Sequence, residues 1–104
     1  MKIFKKLIRD RVPEILKSEG KSPQIRIITD DKEYIEALER KLIEEIQEMR
    51  QGDDPQEKIA YIYEILETLI HARGFSKEEI LMSQEKQRQE KGGFQKRLFL
   101  EGVE

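Results

Sequence analysis

Glu44, Glu45 and Glu48 stand in the stretch KLIEEIQEM, three carboxylates within little more than one helical turn. Successive helical residues turn by about 100°, so these acids share a flank with Lys41, beside a stripe formed by Ile35, Leu42 and Ile46. Carboxylate oxygens gathered this way are the donors that Mg²⁺ takes, the rest of its shell being water and substrate phosphate. Without a cation they repel and raise one another's pKa, so stability is expected to depend on metal. A plainer reading stands beside this one. In a chain with 22 acids, a Glu-rich flank can be a solvated surface on which Lys41 pairs with Glu45 one turn on. A metal cradle needs acids from a facing helix, and Glu57, Glu64 and Glu67 are the available ones, Glu64 foremost. Each also has a structural use: Glu57 as a capping acid, Glu64 and Glu67 as solvated or oligomer-contact groups.

The elements that must position these acids are helices. Asp30 can cap a helix, with Glu33 closing a capping box, and Ile35, Leu38, Leu42, Ile46 and Met49 form one stripe along it. Gly52 ends this helix, and Asp54 with Pro55 at the first helical position starts the next. So short a connection predicts an antiparallel hairpin. Its second arm sends Ile59, Ile62, Tyr63, Leu66, Leu69 and Ile70 toward the core and stops at Gly74. Ser76 and Glu79 form another capping box, opening a helix to about Glu90 that KGGF breaks. Upstream, an extended arm leads to a short helix from about Asp10, with Pro13 in its first turn and Gly20 beyond its end. Ile25 and Ile27, alternating around Arg26, carry a brief strand signal that RLFLEG near the C-terminus could pair with. The expected class is all-α, a helical bundle with short extended N- and C-terminal segments, residues 1–104 forming a single domain.

Composition bounds the rest. Of the 104 residues, 37% are apolar and 40% charged, so part of the burial is expected from a partner chain, as a homo-oligomer. The 20 basic and 22 acidic residues leave a formal charge of −2, no general pull toward nucleic acid or an anionic membrane. With no cysteine, disulfide scaffolds and thiolate metal sites are excluded. No apolar run approaches the roughly 20 residues of a membrane span, and MKIFKKLIRD lacks a signal-peptide core, so a soluble cytoplasmic protein is expected. There is no P-loop, Rossmann glycine pattern or Ser/His/Asp set.

Three stretches in order resemble one family. KLIRDRVPEIL (Lys6 to Leu16), the EExxE of Glu44, Glu45 and Glu48, and KGGFQKRLFL (Lys91 to Leu100) are similar to the MazG-like, phosphoribosyl-ATP-pyrophosphohydrolase-like branch of the all-α nucleoside triphosphate pyrophosphatases. The similarity covers nearly the whole chain. It implies an oligomeric helical bundle, a dimer or tetramer, that binds Mg²⁺, or Mn²⁺ in its place, through these acids. The implied reaction is hydrolysis of a nucleotide between its α and β phosphorus atoms, giving a monophosphate and pyrophosphate, with Glu44, Glu45 and Glu48 as catalytic and metal-binding residues. Lys6, Arg9, Lys96 and Arg97, the basic residues of the terminal signatures, are the expected phosphate contacts.

The pattern breaks at one place. Relatives carry an ExxD pair in a context like EELADVLE; the matching stretch here is EKIAYIYE, with Lys58 and Tyr61 where the acids are expected. Two outcomes are open. Glu64 and Glu67, one turn later, could replace the missing ligands, or Lys58 could take the space of the cation and make the acids a structural cluster in a non-catalytic binding or interaction module. Nucleic-acid binding through the basic ends is disfavoured by the acidic middle. Asp10 is read as a cap, His71 as a helix-end charge, and the aromatic residues as packing groups.

Overall fold

The computed structural model describes residues 2–104, and among them there are four helices and no strand. They are α1 (Val12–Ser18), α2 (Asp31–Arg50), α3 (Pro55–Ala72) and α4 (Lys77–Lys91). The chain divides into two compact units, Met1–Gly74 and Phe75–Glu104. No helix among the described residues is long and apolar enough to cross a membrane.

The first unit is built on the α2–α3 hairpin, the pair of helices that packs together. Asp30 caps α2 by accepting from the Glu33 amide at 2.9 Å. The expected capping box does not close: the Glu33 carboxylate is turned to the Arg26 guanidinium, in a two-pronged pair at 3.0 and 2.5 Å. A guanidinium fork is the stronger partner for a carboxylate than a single backbone amide. The same clamp holds the 21–30 segment, where the strand signal of Ile25 and Ile27 is not realised. Both isoleucines are exposed and no ladder forms, so there is nothing to cover the apolar side that a strand would need.

The hairpin turn is made by local chemistry. Gly52 has φ +107°, a region that side-chain-bearing residues rarely adopt, and a Cβ there would meet no atom within 4 Å, so conformation alone calls for glycine. Asp54 then accepts from the amides of Gln56 and Glu57, with Pro55 beginning α3. At the other end, α1 begins after Arg11 with no side-chain cap, so Asp10 does not cap it.

The apolar core is small: among the described residues Leu38 on α2 and Ile65 on α3 are the buried hydrophobic side chains. Ile65 was not in the expected core stripe, whereas Ile59, Tyr63 and Leu66, which were, are exposed, as is Ile46 at the edge of the α2 stripe. The reason is width. α3 is apolar over more of its circumference than one facing helix can cover, and the side chain it buries most deeply is Ile65. Helical spacing puts Ile43 and Ile46 on the flank of α2 that carries Glu39, and Ile59, Tyr63 and Leu66 on the flank of α3 that carries Arg73. The Glu39–Arg73 pair at 3.0 Å bridges those flanks, so the exposed apolar residues lie on one side of the hairpin.

In the second unit, Ser76 accepts from the Glu79 amide and the Glu79 carboxylate accepts from the Ser76 amide, the expected capping box of α4. Gly92, with φ +79°, closes that helix. The following residues are extended, with Phe94, Leu98, Phe99 and Leu100 exposed, and the expected terminal strand does not form.

Candidate metal centre

On the side of the hairpin opposite that apolar patch, α2 presents Lys41, Glu44, Glu45 and Glu48, and α3 presents Lys58, Tyr61 and Glu64. Glu44, Glu45 and Glu48 each offer an oxygen within 4.8 Å of the others. Around Mg²⁺, oxygens at about 2.1 Å stand about 3 Å apart when adjacent and about 4.2 Å apart when opposite. At most one pair of three ligands can be opposite, so the carboxylates draw in by up to about 2 Å to share one ion, a movement within the reach of glutamate side chains; the donor type is the one a hard divalent ion takes.

Glu45 is the anomaly of the fold, a carboxylate only 2% exposed where two apolar side chains among the described residues are buried. Burying an ionised group is tolerated when it is paired, and here the pairs are lysines. Lys58 Nζ donates to Glu45 Oε2 at 2.8 Å and to Glu48 Oε2 at 2.6 Å. Lys41 Nζ lies 3.5 Å from Glu45 Oε1 and from Glu44 Oε1, the i+4 and i+3 pairs of its own helix. From the N-terminal arm, Lys6 Nζ reaches Glu44 Oε1 at 3.2 Å. Three ammonium groups face three carboxylates, and no buried side-chain nitrogen or oxygen among the described residues lacks a hydrogen-bond partner. Charge is thus balanced within the cluster, and the Glu45 and Glu48 oxygens that a cation would use are the ones Lys58 holds.

Tyr61 lies at the centre of the same cluster. Arg9, Lys41 and Lys58 stand 4.8, 5.4 and 5.9 Å from its ring centroid, within cation–π range. The electron-rich ring face thus supplies attraction to three cations at once. Arg9 continues to Glu64, 3.6 Å away, so Glu64 is engaged by the arm at an exposed position and stands outside the three-carboxylate group. Glu67 and Glu57 are exposed and make no ion pair among the described residues. Lys96 and Arg97 belong to the second unit, where Arg97 adopts a left-handed φ of +61°.

The hydrogen bond from Lys58 holds the Glu48 carboxyl below its usual range, with partial burial opposing and the charges of Lys58, Lys41 and Lys6 assisting. Hydrogen bonds with Glu45 and Glu48 push Lys58 up from its ordinary 10.5, again against burial. For Lys41, burial lowers the pKa, but attraction to Tyr61, Glu44 and Glu45 outweighs it and the net shift is upward. These shifts fix a pH window. A carboxyl lowered on folding stabilises above its unfolded value of 4.5 and loses that contribution as pH falls through the folded value. A lysine raised on folding stabilises below 10.5 and loses its contribution as pH climbs past that. The cluster is therefore expected to add a constant stability from about pH 5.5 to 9.5. Urea midpoints measured between pH 5 and pH 3 should fall less steeply for Glu48→Gln than for the parent. Superimposable slopes would mean that Glu48 carries none of the acid sensitivity.

The two lysines that define the centre differ in how visible they are in the sequence. Lys41 follows from i+4 spacing, whereas the reach of Lys58 depends on the register of α3 against α2. Arg40 and Lys5 line a cleft beside Glu44; the i, i+3, i+4, i+7 series Ala37, Arg40, Lys41, Glu44 is the sequence signal for the first of them.

A stretch of 47 residues, 45% of this chain and 47% of the other, is 49% identical to an uncharacterised protein of Mycolicibacterium smegmatis, so the match spans about half the length of that relative. No family model matches the chain. No solved structure matches it.

Proposed function

We propose that this chain is a nucleotide pyrophosphohydrolase of the MazG-like, phosphoribosyl-ATP-pyrophosphohydrolase-like kind, with Mg²⁺ or Mn²⁺ held by Glu44, Glu45 and Glu48. The observation that carries the reading is Glu45: a buried carboxylate whose two neighbours on the same flank bring oxygens within 4.8 Å. Three carboxylates held this close, one of them buried, form a donor set in which Lys58 and Lys41 now supply the positive charge that a divalent ion would bring. A divalent ion at these oxygens supplies charge for phosphate oxygens and acidifies an attacking water. The chain's own residues do the rest. Lys6 and Arg9, tied to Glu44 and Glu64 in the absence of substrate, turn to the phosphate chain. Lys58, released from Glu45 and Glu48, becomes a further phosphate partner, and a carboxylate left free of the ion takes the proton of the water. Glu64, Glu67, Lys96 and Arg97 remain the further ligand and phosphate positions that the family likeness implies. Supporting a homo-oligomer is the exposed side of the hairpin, where Ile43, Ile46, Ile59, Tyr63 and Leu66 leave an apolar patch that a second copy would cover.

A second reading has its own observation. Lys58 is already seated between Glu45 and Glu48, and Tyr61 gathers the surrounding cations. On that basis the cluster is a permanent ion-pair core and the chain a non-catalytic, oligomeric binding module. The test is direct: nucleoside triphosphates with millimolar Mg²⁺ or Mn²⁺, pyrophosphate and monophosphate measured as products. Turnover is expected, and Glu45→Gln is expected to lose more than the roughly 10–100-fold typical of an outer-shell partner. No product from any of the four common triphosphates, together with no rise in melting temperature on adding either ion, leaves the second reading.

A further inference from the structure

Between the N-terminal arm and α2 lies a cleft of about 60 Å³, several times the roughly 10–15 Å³ that one water needs. Lys5, Lys6, Arg40 and Lys41 line it against a single carboxylate, Glu44. Four basic residues border this one cleft, with Leu7 and Ala37 completing its wall, in a chain whose formal charge is −2. They are not equivalent. Lys6 and Lys41 both approach the same oxygen of Glu44, at 3.2 and 3.5 Å, and are oriented by it. Lys5 and Arg40 have no carboxylate partner among the described residues. Ala37, the small residue on the same flank of α2, also lines the cleft and leaves room in it.

The backbone adds a separate mark. Lys5 has φ +48°, a left-handed conformation that a side-chain-bearing residue adopts at a cost and that collects at ligand clamps. Unpaired cations in one concavity repel one another, and an anion that fills it relieves the repulsion and steers its own approach.

We infer that this cleft is a metal-independent grip for a polyphosphate chain, Lys5 and Arg40 supplying the free contacts while Glu44 holds Lys6 and Lys41 in place. It deepens the pyrophosphohydrolase reading, on which its role as a substrate site rests: Glu44 belongs both to the cleft and to the acid cluster, so a phosphate tail held here lies beside the acids. The grip itself works without the ion. An arginine beside a lysine suits a terminal phosphoryl group, the first forking onto two oxygens and the second acting as a point charge.

Inorganic tripolyphosphate is the probe, titrated calorimetrically in EDTA at low salt against the full-length chain. The parent protein is expected to bind, with an affinity that falls as salt rises. Lys5→Ala/Arg40→Ala is expected to bind at least about 10-fold more weakly, at an anion-free melting temperature equal to the parent's or higher, since like charges have been removed. Lys77→Ala/Lys86→Ala, which removes the same charge from α4, is expected to bind like the parent. Equal weakening by both pairs overturns the assignment, because the effect is then net charge alone. Tighter binding of a single-stranded RNA of matched charge also overturns it, in favour of a nucleic-acid surface. Binding that appears only after Mg²⁺ is added overturns the cleft yet leaves the metal-centre reading standing, whereas binding in EDTA with no hydrolysis under any ion keeps the cleft and removes the enzyme.

Discussion

Lys58→Met lowers the urea midpoint in EDTA and makes the protein's stability respond to Mg²⁺ more strongly than the parent's. Methionine keeps most of the length of the lysine stem and removes the ammonium, so the loss is dominated by the two contacts at 2.8 and 2.6 Å, with a smaller part from the 5.9 Å approach to the Tyr61 ring. What remains is Glu45, 2% exposed, beside two other carboxylates, with Lys41 at 3.5 Å as its cation. Breaking one side of a buried pair costs about 3–5 kcal/mol. Glu48 is 35% exposed, so water reaches that side and the lower end, about 3 kcal/mol, is expected. A divalent ion can now enter unopposed, and at a hundred times its dissociation constant it returns about 2.7 kcal/mol. Urea titrations of both proteins with EDTA and with Mg²⁺ measure the four stabilities. If the variant is as stable as the parent without metal, Lys58 does not hold the acids together. If both proteins gain equally from Mg²⁺, Lys58 does not compete for the ion's place.

Leu38→Ala is expected to cost about 3 kcal/mol, which in a protein this thinly cored is a large fraction of its total stability. Leu38 is 3% exposed and Ile65 is 4%, the two apolar side chains among the described residues that reach such burial, and they come from the two arms of the hairpin. Truncating one leaves a cavity that its partner alone cannot collapse into. The surrounding shell, Ile35, Leu42, Met49, Ile62 and Leu69, is half-buried and so takes little of the load. Chemical unfolding followed by far-ultraviolet dichroism reads this. A cost below about 1 kcal/mol would place the stabilising burial elsewhere, at the exposed patch of Ile43 and Tyr63 covered by another copy; concentration-dependent unfolding of the parent would then accompany it.

The residues that the sequence reading placed correctly are those whose conformation is decided by near neighbours. Gly52, Asp54 and Pro55 write a turn and a cap within four positions, and Ser76 with Glu79 writes another, so the hairpin and the start of α4 were readable without any knowledge of tertiary contacts. The flank shared by Glu44, Glu45 and Glu48 follows from helical angle alone. Where a distant group competes, the reading fails. Glu33 was expected to turn back to its own helix and instead pairs with Arg26, seven residues upstream, whose fork outbids a backbone amide. The alternation of Ile25 and Ile27 satisfies a strand's pattern, but a strand needs a neighbour and none forms. Periodicity gives the width of an apolar face but not the line along which it meets another helix, which is why Tyr63 fits the expected stripe while the structure buries Ile65. The position of Lys58 belongs to the same class. Its charge is legible and pairing with the acids of the EExxE stretch is one of two expectations, but which of the three acids it reaches depends on the register of α3 on α2.

The ring of Tyr61 makes the cluster optically addressable. The chain contains no tryptophan and three tyrosines, so emission excited in the near ultraviolet comes from phenol rings alone. One of the three is flanked by Arg9, Lys41 and Lys58, and any event that rearranges those cations changes the field on its ring. A spectrometer can therefore follow this centre in unlabelled protein, with Tyr61→Phe as the silent reference.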